Sequence, residues 1–436
     1  MENNVSLEIN NFGPIAHADI NINKLNIVGG QNSTGKSTAS KLLYCFLRAN
    51  SYDKQSLIMD SLINQISRLE SRCLRLIRLN RNRTSSIRRF RRFYSNDDFD
   101  LDGIINYYES LKNEFDNLVV NNELDSDRVQ KTIEESYKIM DIIDDMIKII
   151  LEDSYDLYFS MMDLLLKSEF DIFFKKNVNK VDNGIKNFNS DSYSRIYGED
   201  LEYLIDFENE CLSATGLIDC ERVYFIDSLS IFDSFVLVNS ETEHNKNLKS
   251  ALFNVQNTND LFDNIVYEDT KNIENNFDSI INGHMKLDDD GLNFYCGEEP
   301  ISMKNTSSGI KQMAVLQLLL KNRKLTSNTF LILDEPEVHL HSEWLIQLAR
   351  LLVYIAKYLD VYIYINTHSP MFIEALFTYS EYFDFEDYTN YYISENSEVE
   401  NKYDFIQLDS SELYKIYESL GAPYDELDSI RLGKEI

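Results

Sequence analysis

Proline is scarce in this chain, with five in 436 residues, beside fourteen glycines and a single tryptophan. Between Ser51 and Ile218 there is no proline and little glycine, so the usual helix breakers are missing from that stretch. Basic residues are outnumbered, 42 against 73 acids, for a formal net charge of -31. A surface of that sign repels nucleic acid and anionic membrane unless basic residues gather locally. Cysteine is sparse too. Cys45, Cys73, Cys211, Cys220 and Cys296 show no C-x-x-C spacing, which argues against a disulfide framework or a zinc site and for reduced thiols in a cytoplasmic protein. No run of 18 or more apolar residues occurs, so no membrane-spanning helix and no membrane partner are expected. The opening Met1-Glu2-Asn3-Asn4 lacks the basic and apolar regions of a secretion signal. The length allows about two or three domains.

What is present centres on Gly30-Gln31-Asn32-Ser33-Thr34-Gly35-Lys36-Ser37. This run fits G-x-x-x-x-G-K-[ST], the phosphate-binding loop. Leu25 to Val28 before it is apolar enough for a short buried strand, and Thr38 to Tyr44 after it predicts a helix. Glycines let the backbone curl so that successive N–H groups face one anion, and the helix N-terminus adds a partial positive charge there. Lys36 would reach the β- and γ-phosphates, and the Ser37 hydroxyl would ligate magnesium.

Val5 to Ile9 and Ala18 to Ile22 alternate apolar and polar residues and predict two strands joined at the turn Asn11–Pro14. From Ser51 to Ile218 apolar residues fall at helical spacing, as at Ile105, Tyr108, Leu111, Phe115 and Leu118, at Ile139, Ile143, Met146 and Ile150, and at Leu157, Met161, Leu164 and Leu165. That stretch reads as a helical insertion, partly like a coiled coil but without a sustained heptad. Within it, Arg68 to Arg92 holds ten arginines and one acid, Glu70, a segment of charge +9 that leaves -40 on the rest. Phe90, Phe93 and Tyr94 interleave with the later arginines. Such a segment either contacts a phosphate backbone or docks on acids, the chain's own or a partner's; docking is the preferred reading.

Arg222 to Asp227 predicts another strand, and Gly283 to Phe294 a small hairpin turning at Asp288–Gly291. Three further pieces carry chemistry. Asn305 to Gln312, with Ser307, Ser308 and Gly309, opens a helix with small hydroxyls and a glycine, a second anion-binding pattern. Phe330 to Pro336 is an apolar strand delivering Asp334 and Glu335 at its C-terminal end, where ligands bind in open α/β sheets. Asp334 would hold the magnesium shell and Glu335 would polarise an attacking water. Val361 to Pro370 is a buried strand ending in His368, one of six histidines, placed to reach a γ-phosphate.

The order GQNSTGKS, SSGIKQ, LILDEPEVHLH and INTHSP resembles the ABC-type ATPases of the RecF, SMC and OLD group. EPEVHLH and THSPMFIEAL most resemble the stand-alone OLD-like ATPases of prokaryotic anti-phage defence and DNA maintenance, and LEINNFGPI is similar to that group's first strand and turn. The resemblance covers roughly residues 1–50 and 220–436. It implies an α/β P-loop NTPase of the ABC-ATPase head type with an inserted α-helical domain at 51–218, flanked by an N-terminal lobe at 1–50 and a C-terminal lobe at 219–436. It implies ATP and Mg²⁺ as ligands, bound by Gly30, Asn32, Ser33, Thr34, Gly35, Lys36, Ser37 and Thr38, with Ser37 and Asp334 on the metal, Glu335 as catalytic base and His368 as switch histidine. Ser307, Ser308 and Gly309 would be the signature that caps nucleotide held by a second subunit, so a homodimer or higher homo-oligomer is expected. A glutamine lining the magnesium site is also expected; Gln55 and Gln65 are candidates and neither is assigned.

OLD nucleases carry a TOPRIM nuclease domain after the ATPase. Here sixty-six residues follow Pro370, with a hairpin near Tyr391–Leu408 and a helix near Ser411–Leu420, too little for such a domain. The resemblance therefore implies the ATPase subunit of a two-component system, acting with a separate effector protein, a nuclease or toxin. A RecF-like DNA-repair ATPase and a scaffold that binds ATP without hydrolysing it are the alternatives.

Overall fold

The computed structural model describes residues 5–51, 54–79, 101–120, 127–152, 192–206, 211–216, 218–227, 243–253, 283–288, 291–297 and 299–431. They form two compact units, one of residues 1–52 and 163–436 and one of residues 53–162.

The first unit is built on a mixed sheet. The expected antiparallel pair forms from β1 (Val5–Phe12) and β2 (Ile15–Ile22). β3 (Leu25–Gly29) follows, buried at every position. β3 is buried because it lies inside a parallel block, where strands are covered on both faces and read as continuous apolar runs. That block also holds β7 (Arg222–Ile226), β11 (Thr329–Asp334), β12 (Tyr362–Thr367) and β13 (Thr389–Asn396), in the order β13-β3-β12-β11-β7. β14 (Tyr403–Leu408) turns back antiparallel on β13 and runs parallel to β2, joining the block to the β1–β2 pair. The hairpin expected near Tyr391–Leu408 is this β13–β14 pair.

Beyond β1 the sheet continues through β4 (Tyr193–Tyr197), β5 (Glu202–Asp206) and β6 (Cys211–Thr215), all antiparallel. These three strands lie within the stretch read as helical from 51 to 218. Tyr193-Ser194-Arg195-Ile196-Tyr197 alternates buried and half-buried positions, and its ladder on β1 decides the conformation where sparse proline had suggested helix. A separate three-stranded sheet contains β8 (His284–Asp288), β9 (Gly291–Tyr295) and β10 (Pro300–Ser302). The expected hairpin is its β8–β9 pair, closed by Asp288 opposite Gly291.

Helices cover the parallel block. α1 (Lys36–Asn50) follows the loop after β3. α5 (Glu243–Phe253), α6 (Ser308–Lys321), α7 (Ser342–Tyr358), α8 (Pro370–Tyr382) and α9 (Tyr414–Arg431) complete the unit. One apolar core runs through Ile27, Ile363 and Ile365 of the sheet, Leu316 and Leu319 of α6, Leu348 and Leu352 of α7, and Phe372 of α8.

The second unit holds α2 (Lys54–Leu79), α3 (Leu101–Val120) and α4 (Asp127–Glu152). Leu62, Ile66, Leu69, Cys73 and Leu76 are buried at three- and four-residue spacing, and they pack with Ile104, Tyr108, Leu111 and Phe115 and with Met140, Ile143 and Met146. Ile104 takes the buried place that the spacing had given to Ile105, which is half-buried. Asp144 accepts hydrogen bonds from Tyr108 Oη at 2.8 Å and from Lys112 Nζ at 2.5 Å. In the arginine segment, Arg68 and Arg75 are exposed and Arg72 pairs with Glu135. Residues 80–100, with the remaining arginines after Arg78, and the positions Leu157 to Leu165 lie outside the described residues.

Candidate nucleotide site

β3, β12 and β11 end side by side, with Gly29 opposite Thr367 and Asn366 opposite Asp334. The phosphate loop, the Asp334–Glu335 run and the His368 run all reach this edge, so the site is made by topology before any side chain is considered.

The loop after β3 needs its glycines. Gly30 has φ +154°, and a Cβ there would stand 1.8 Å from Ser394 Oγ on β13. Gly35 has φ +102°, and a Cβ would stand 2.6 Å from Ile15 Cγ1. Gly35 is also the N-cap of α1, its carbonyl accepting from the Thr38 and Ala39 amides at 2.9 and 3.0 Å. Ser33 takes the left-handed conformation without being glycine, φ +66°, a cost typical of loops shaped by function. Asn32 and Ser33 are exposed at the loop's tip. Thr34 is buried, and its hydroxyl meets Gln31 O at 3.0 Å and Ser394 Oγ at 2.7 Å.

Lys36 is only 4 % exposed. Its Nζ donates to Gly30 O at 2.8 Å and to Gln31 O at 2.5 Å. Among the described residues it has no ion-pair partner. Burial pulls its ammonium below the ordinary lysine pKa, while Glu335, Asp334 and Glu337 pull the other way from longer range. A buried cation hydrogen-bonded to loop carbonyls, with no ion pair among the described residues, is a place where an incoming anion supplies a close counter-charge.

Ser37 Oγ donates to Asp334 Oδ1 at 3.1 Å. Asn366 Nδ2 donates to the same oxygen at 2.8 Å and to Ser40 Oγ at 2.9 Å. Glu335 takes φ +53°, while its amide continues the ladder to Asn366 O at 2.9 Å. His368 Nδ1 lies 3.6 Å from Glu335 Oε1 and 3.4 Å from Glu337 Oε1. Glu337 is buried, and its Oε1 accepts from Thr367 Oγ1 at 2.5 Å and from the His368 amide at 2.9 Å. Desolvation holds the Glu337 carboxyl above its ordinary pKa.

The structure thus brings Gly30, Thr34, Gly35, Lys36, Ser37, Asp334, Glu335 and His368 to one strand edge. Ser307, Ser308 and Gly309 stand apart. Ser307 caps α6, its hydroxyl accepting from the Ile310 amide at 3.4 Å. Gly309 lies against the loop after β11 and the start of α7, where a Cβ would meet Leu340 at 3.3 Å and Trp344 at 3.6 Å. Among the described residues no hydrogen bond joins these three to the phosphate loop. Gln55 and Gln65 both lie on α2 of the second unit.

Four residues at the site went unread in the sequence: Ser40, Glu337, Asn366 and Ser394. Asn366 had a signal, as the polar residue ending the apolar run Val361–Ile365. Glu337 had one too, as the second acid of Glu335-Pro336-Glu337. Ser40 and Ser394 had none, since their partners are fixed only by the fold.

Residues 5–373 match the family model described as AAA ATPase domain. Among solved structures the chain is similar to an SMC head bound to the C-winged helix domain of ScpA, at 10% identity over 94% of this chain and 98% of that one, TM-score 0.43. The SMC head domain from Thermotoga maritima matches at 10% identity over 94% of this chain and 100% of that one, TM-score 0.38. The Smc head domain with an extended coiled coil bound to the C-terminal domain of ScpA, derived from Pyrococcus furiosus, matches at 10% identity over 96% and 99%, TM-score 0.35. No curated protein matches the chain.

Proposed function

The chain belongs to the AAA ATPase domain family, and from that premise we propose that it binds ATP with Mg²⁺ and hydrolyses it to ADP and phosphate at the strand edge of β3, β12 and β11. One observation carries the reading: buried Lys36 without an ion-pair partner among the described residues, the Ser37–Asp334 pair at 3.1 Å, and Glu335 beside His368 at 3.6 Å all stand at that edge.

The residues fit the ligands. Lys36 would exchange its two carbonyl partners for phosphate oxygens, regaining a full counter-charge. Magnesium would be held by Ser37 and Asp334 and would supply charge neutralisation on the phosphates. Asn366 keeps the Asp334 carboxylate turned toward Ser37. Glu335 would accept a proton from the attacking water, and His368 would reach the γ-phosphate. Loop amides from Gly30 to Thr38, with the side chains of Asn32 and Ser33, would cradle the anion.

Ser307, Ser308 and Gly309 would cap nucleotide bound by a second copy, making a homodimer around two nucleotides. The exposed helix start at Ser307, with no hydrogen bond to its own phosphate loop among the described residues, supports that role. In the cell the ATPase would serve as sensor or scaffold of an anti-phage defence complex, its nucleotide state holding or releasing a separate effector. The EPEVHLH and THSPMFIEAL runs support this assignment. A second reading, a RecF-like ATPase that binds DNA, would rest on the arginine segment.

Turnover of ATP by the purified chain, with Glu335→Gln beside it, tests the reaction. The wild type should release phosphate in the presence of magnesium, and the variant should bind ATP without turning it over. Wild-type turnover by Glu335→Gln would remove Glu335 as the base, and a wild type that binds ATP but never hydrolyses it would leave only the scaffold.

A further inference from the structure

Glu337 carries a burial cost that its local hydrogen bonds do not explain. Its Oε1 is well used, by the Thr367 hydroxyl and the His368 amide. Its Oε2 is buried and takes no hydrogen bond among the described residues. Leaving a carboxyl oxygen buried and unpartnered is expensive, and an amide or an apolar side chain of similar size would avoid much of that cost.

The imidazole next door is in a matching state. His368 Nδ1 is buried and makes no hydrogen bond among the described residues, yet two carboxylate oxygens lie within 3.6 Å, one from Glu335 and one from Glu337. A small swing of the ring closes a hydrogen bond to either. The two choices have different chemical consequences. An Nδ1–H engaged with Glu335 occupies the oxygen that should take a proton from water. An Nδ1–H engaged with Glu337 leaves Glu335 free and points Nε2 away from both acids. Asp334 and Lys36 are the other charged groups of the cluster, coupled electrostatically on Lys36's side.

We infer that Glu337 is a positioning residue for His368: through the Thr367 hydroxyl and the His368 amide it fixes the histidine's backbone, and through Oε1 it draws the imidazole off Glu335. The catalytic consequence rests on the ATPase reading of the site; the positioning itself does not, because it is argued from the Thr367 and His368 hydrogen bonds to Glu337 alone.

Two variants separate the possibilities. Glu337→Met fills the same space without an acceptor, and Glu337→Gln keeps one. Amide hydrogen exchange is measured first, in the nucleotide-free full chain. The His368 amide should exchange about tenfold faster in Glu337→Met, the factor a hydrogen bond of ordinary net strength contributes, and near the wild-type rate in Glu337→Gln. Unchanged exchange in Glu337→Met overturns the inference whatever the ATPase assay gives. If Glu337→Met does not fold, Glu337→Gln with Thr367→Val carries the same measurement: loss of His368 protection in Thr367→Val but not in Glu337→Gln supports the clamp, and protection in both overturns it. With ATP, Glu337→Met should lower kcat about tenfold with KM within about threefold, and should add nothing in a His368→Ala background. Losses that multiply with His368→Ala, or that fall on KM, would mean Glu337 acts on something other than the histidine.

Discussion

Asn366 and Asp334 are joined by a 2.8 Å hydrogen bond across the ends of two neighbouring parallel strands. The same amide reaches Ser40 Oγ on α1 at 2.9 Å, so one buried side chain ties β12 to β11 and to the helix that begins at the phosphate loop. Its Oδ1 is buried without a hydrogen-bond partner among the described residues. The amide spends both of its donated hydrogen bonds on orienting groups next to Ser37.

Replacing Asn366 with Ala removes both donations and leaves the Asp334 carboxylate to turn. Stability should fall by about 1–3 kcal/mol, the range for stripping partners from buried polar groups, read as a lower denaturant midpoint. Magnesium dependence should move further than ATP affinity, because Lys36 and the loop amides are untouched. Equal loss of both would place Asn366 in the scaffold alone.

Gly30 tests how tightly the loop is built. Its φ of +154°, and the 1.8 Å that would separate an added Cβ from Ser394 Oγ, mean that Gly30→Ala must displace β13 or the loop. ATP binding should weaken roughly tenfold or more, the size of 1–3 kcal/mol of backbone and steric strain. Adding Ser394→Gly removes the clash but not the φ strain, so recovery should be partial. Full recovery would mean sterics alone mattered, and none would mean the backbone alone did.

Glu337 also predicts a pH signature. Burial raises its pKa in the folded chain, so the native state holds a proton that the unfolded chain has already released. Its contribution to stability is complete below the ordinary glutamate pKa and is lost as pH rises through the raised folded value. Unfolding midpoints of wild type measured against Glu337→Gln from pH 4 to 7 should show the wild type losing ground as pH rises. Wild type gaining on the variant with rising pH would reverse the sign and mean that the native state favours the carboxylate.

The phosphate loop and the two acidic and histidine strands were legible because each lies in one short run whose neighbours in sequence are its neighbours in space. Gly30, Lys36 and Ser37 are set by one short stretch of chain, and Asp334 and His368 by the apolar strands that carry them. Ser394 could not be read, since its hydroxyl partner Thr34 is 360 residues away. Strands β4–β6 were missed for the same reason: what makes Tyr193–Tyr197 a strand is the waiting edge of β1, not a local pattern strong enough to outweigh the proline-poor texture around it.

Ser308→Arg addresses the second-subunit role of the signature. The residue starts α6, next to Gly309, which packs on Leu340 and Trp344. Arginine there adds bulk and charge at the helix start without touching the chain's own phosphate loop. In a Glu335→Gln background with ATP, sedimentation should show dimers that the Ser308→Arg change abolishes. Unchanged dimers would reduce residues 307–309 to a helix cap.

The arginine segment from 68 to 92 separates the defence and DNA-repair readings. Arg72 already pairs with Glu135 inside the helical unit, which is the docking behaviour expected of arginines in a chain of net charge -31; Arg68 and Arg75 are exposed and open to a partner. If the segment holds a nucleic-acid backbone, affinity for duplex DNA should fall steeply with salt, at a log–log slope of about −0.9 per phosphate neutralised. Changing Arg88, Arg89, Arg91 and Arg92 together to Ser should then weaken binding and flatten the slope by roughly one unit for each phosphate no longer held. If the segment docks on acids, wild type should show negligible DNA affinity even at low salt, and the same four changes should instead lower assembly or the unfolding midpoint. Docking is the expected result, because the rest of the chain carries forty excess acids, which repel DNA and offer partners to the arginines. Micromolar or tighter binding by the wild type at physiological salt, absent from the four-site variant, would turn the assignment toward a DNA-bound ATPase.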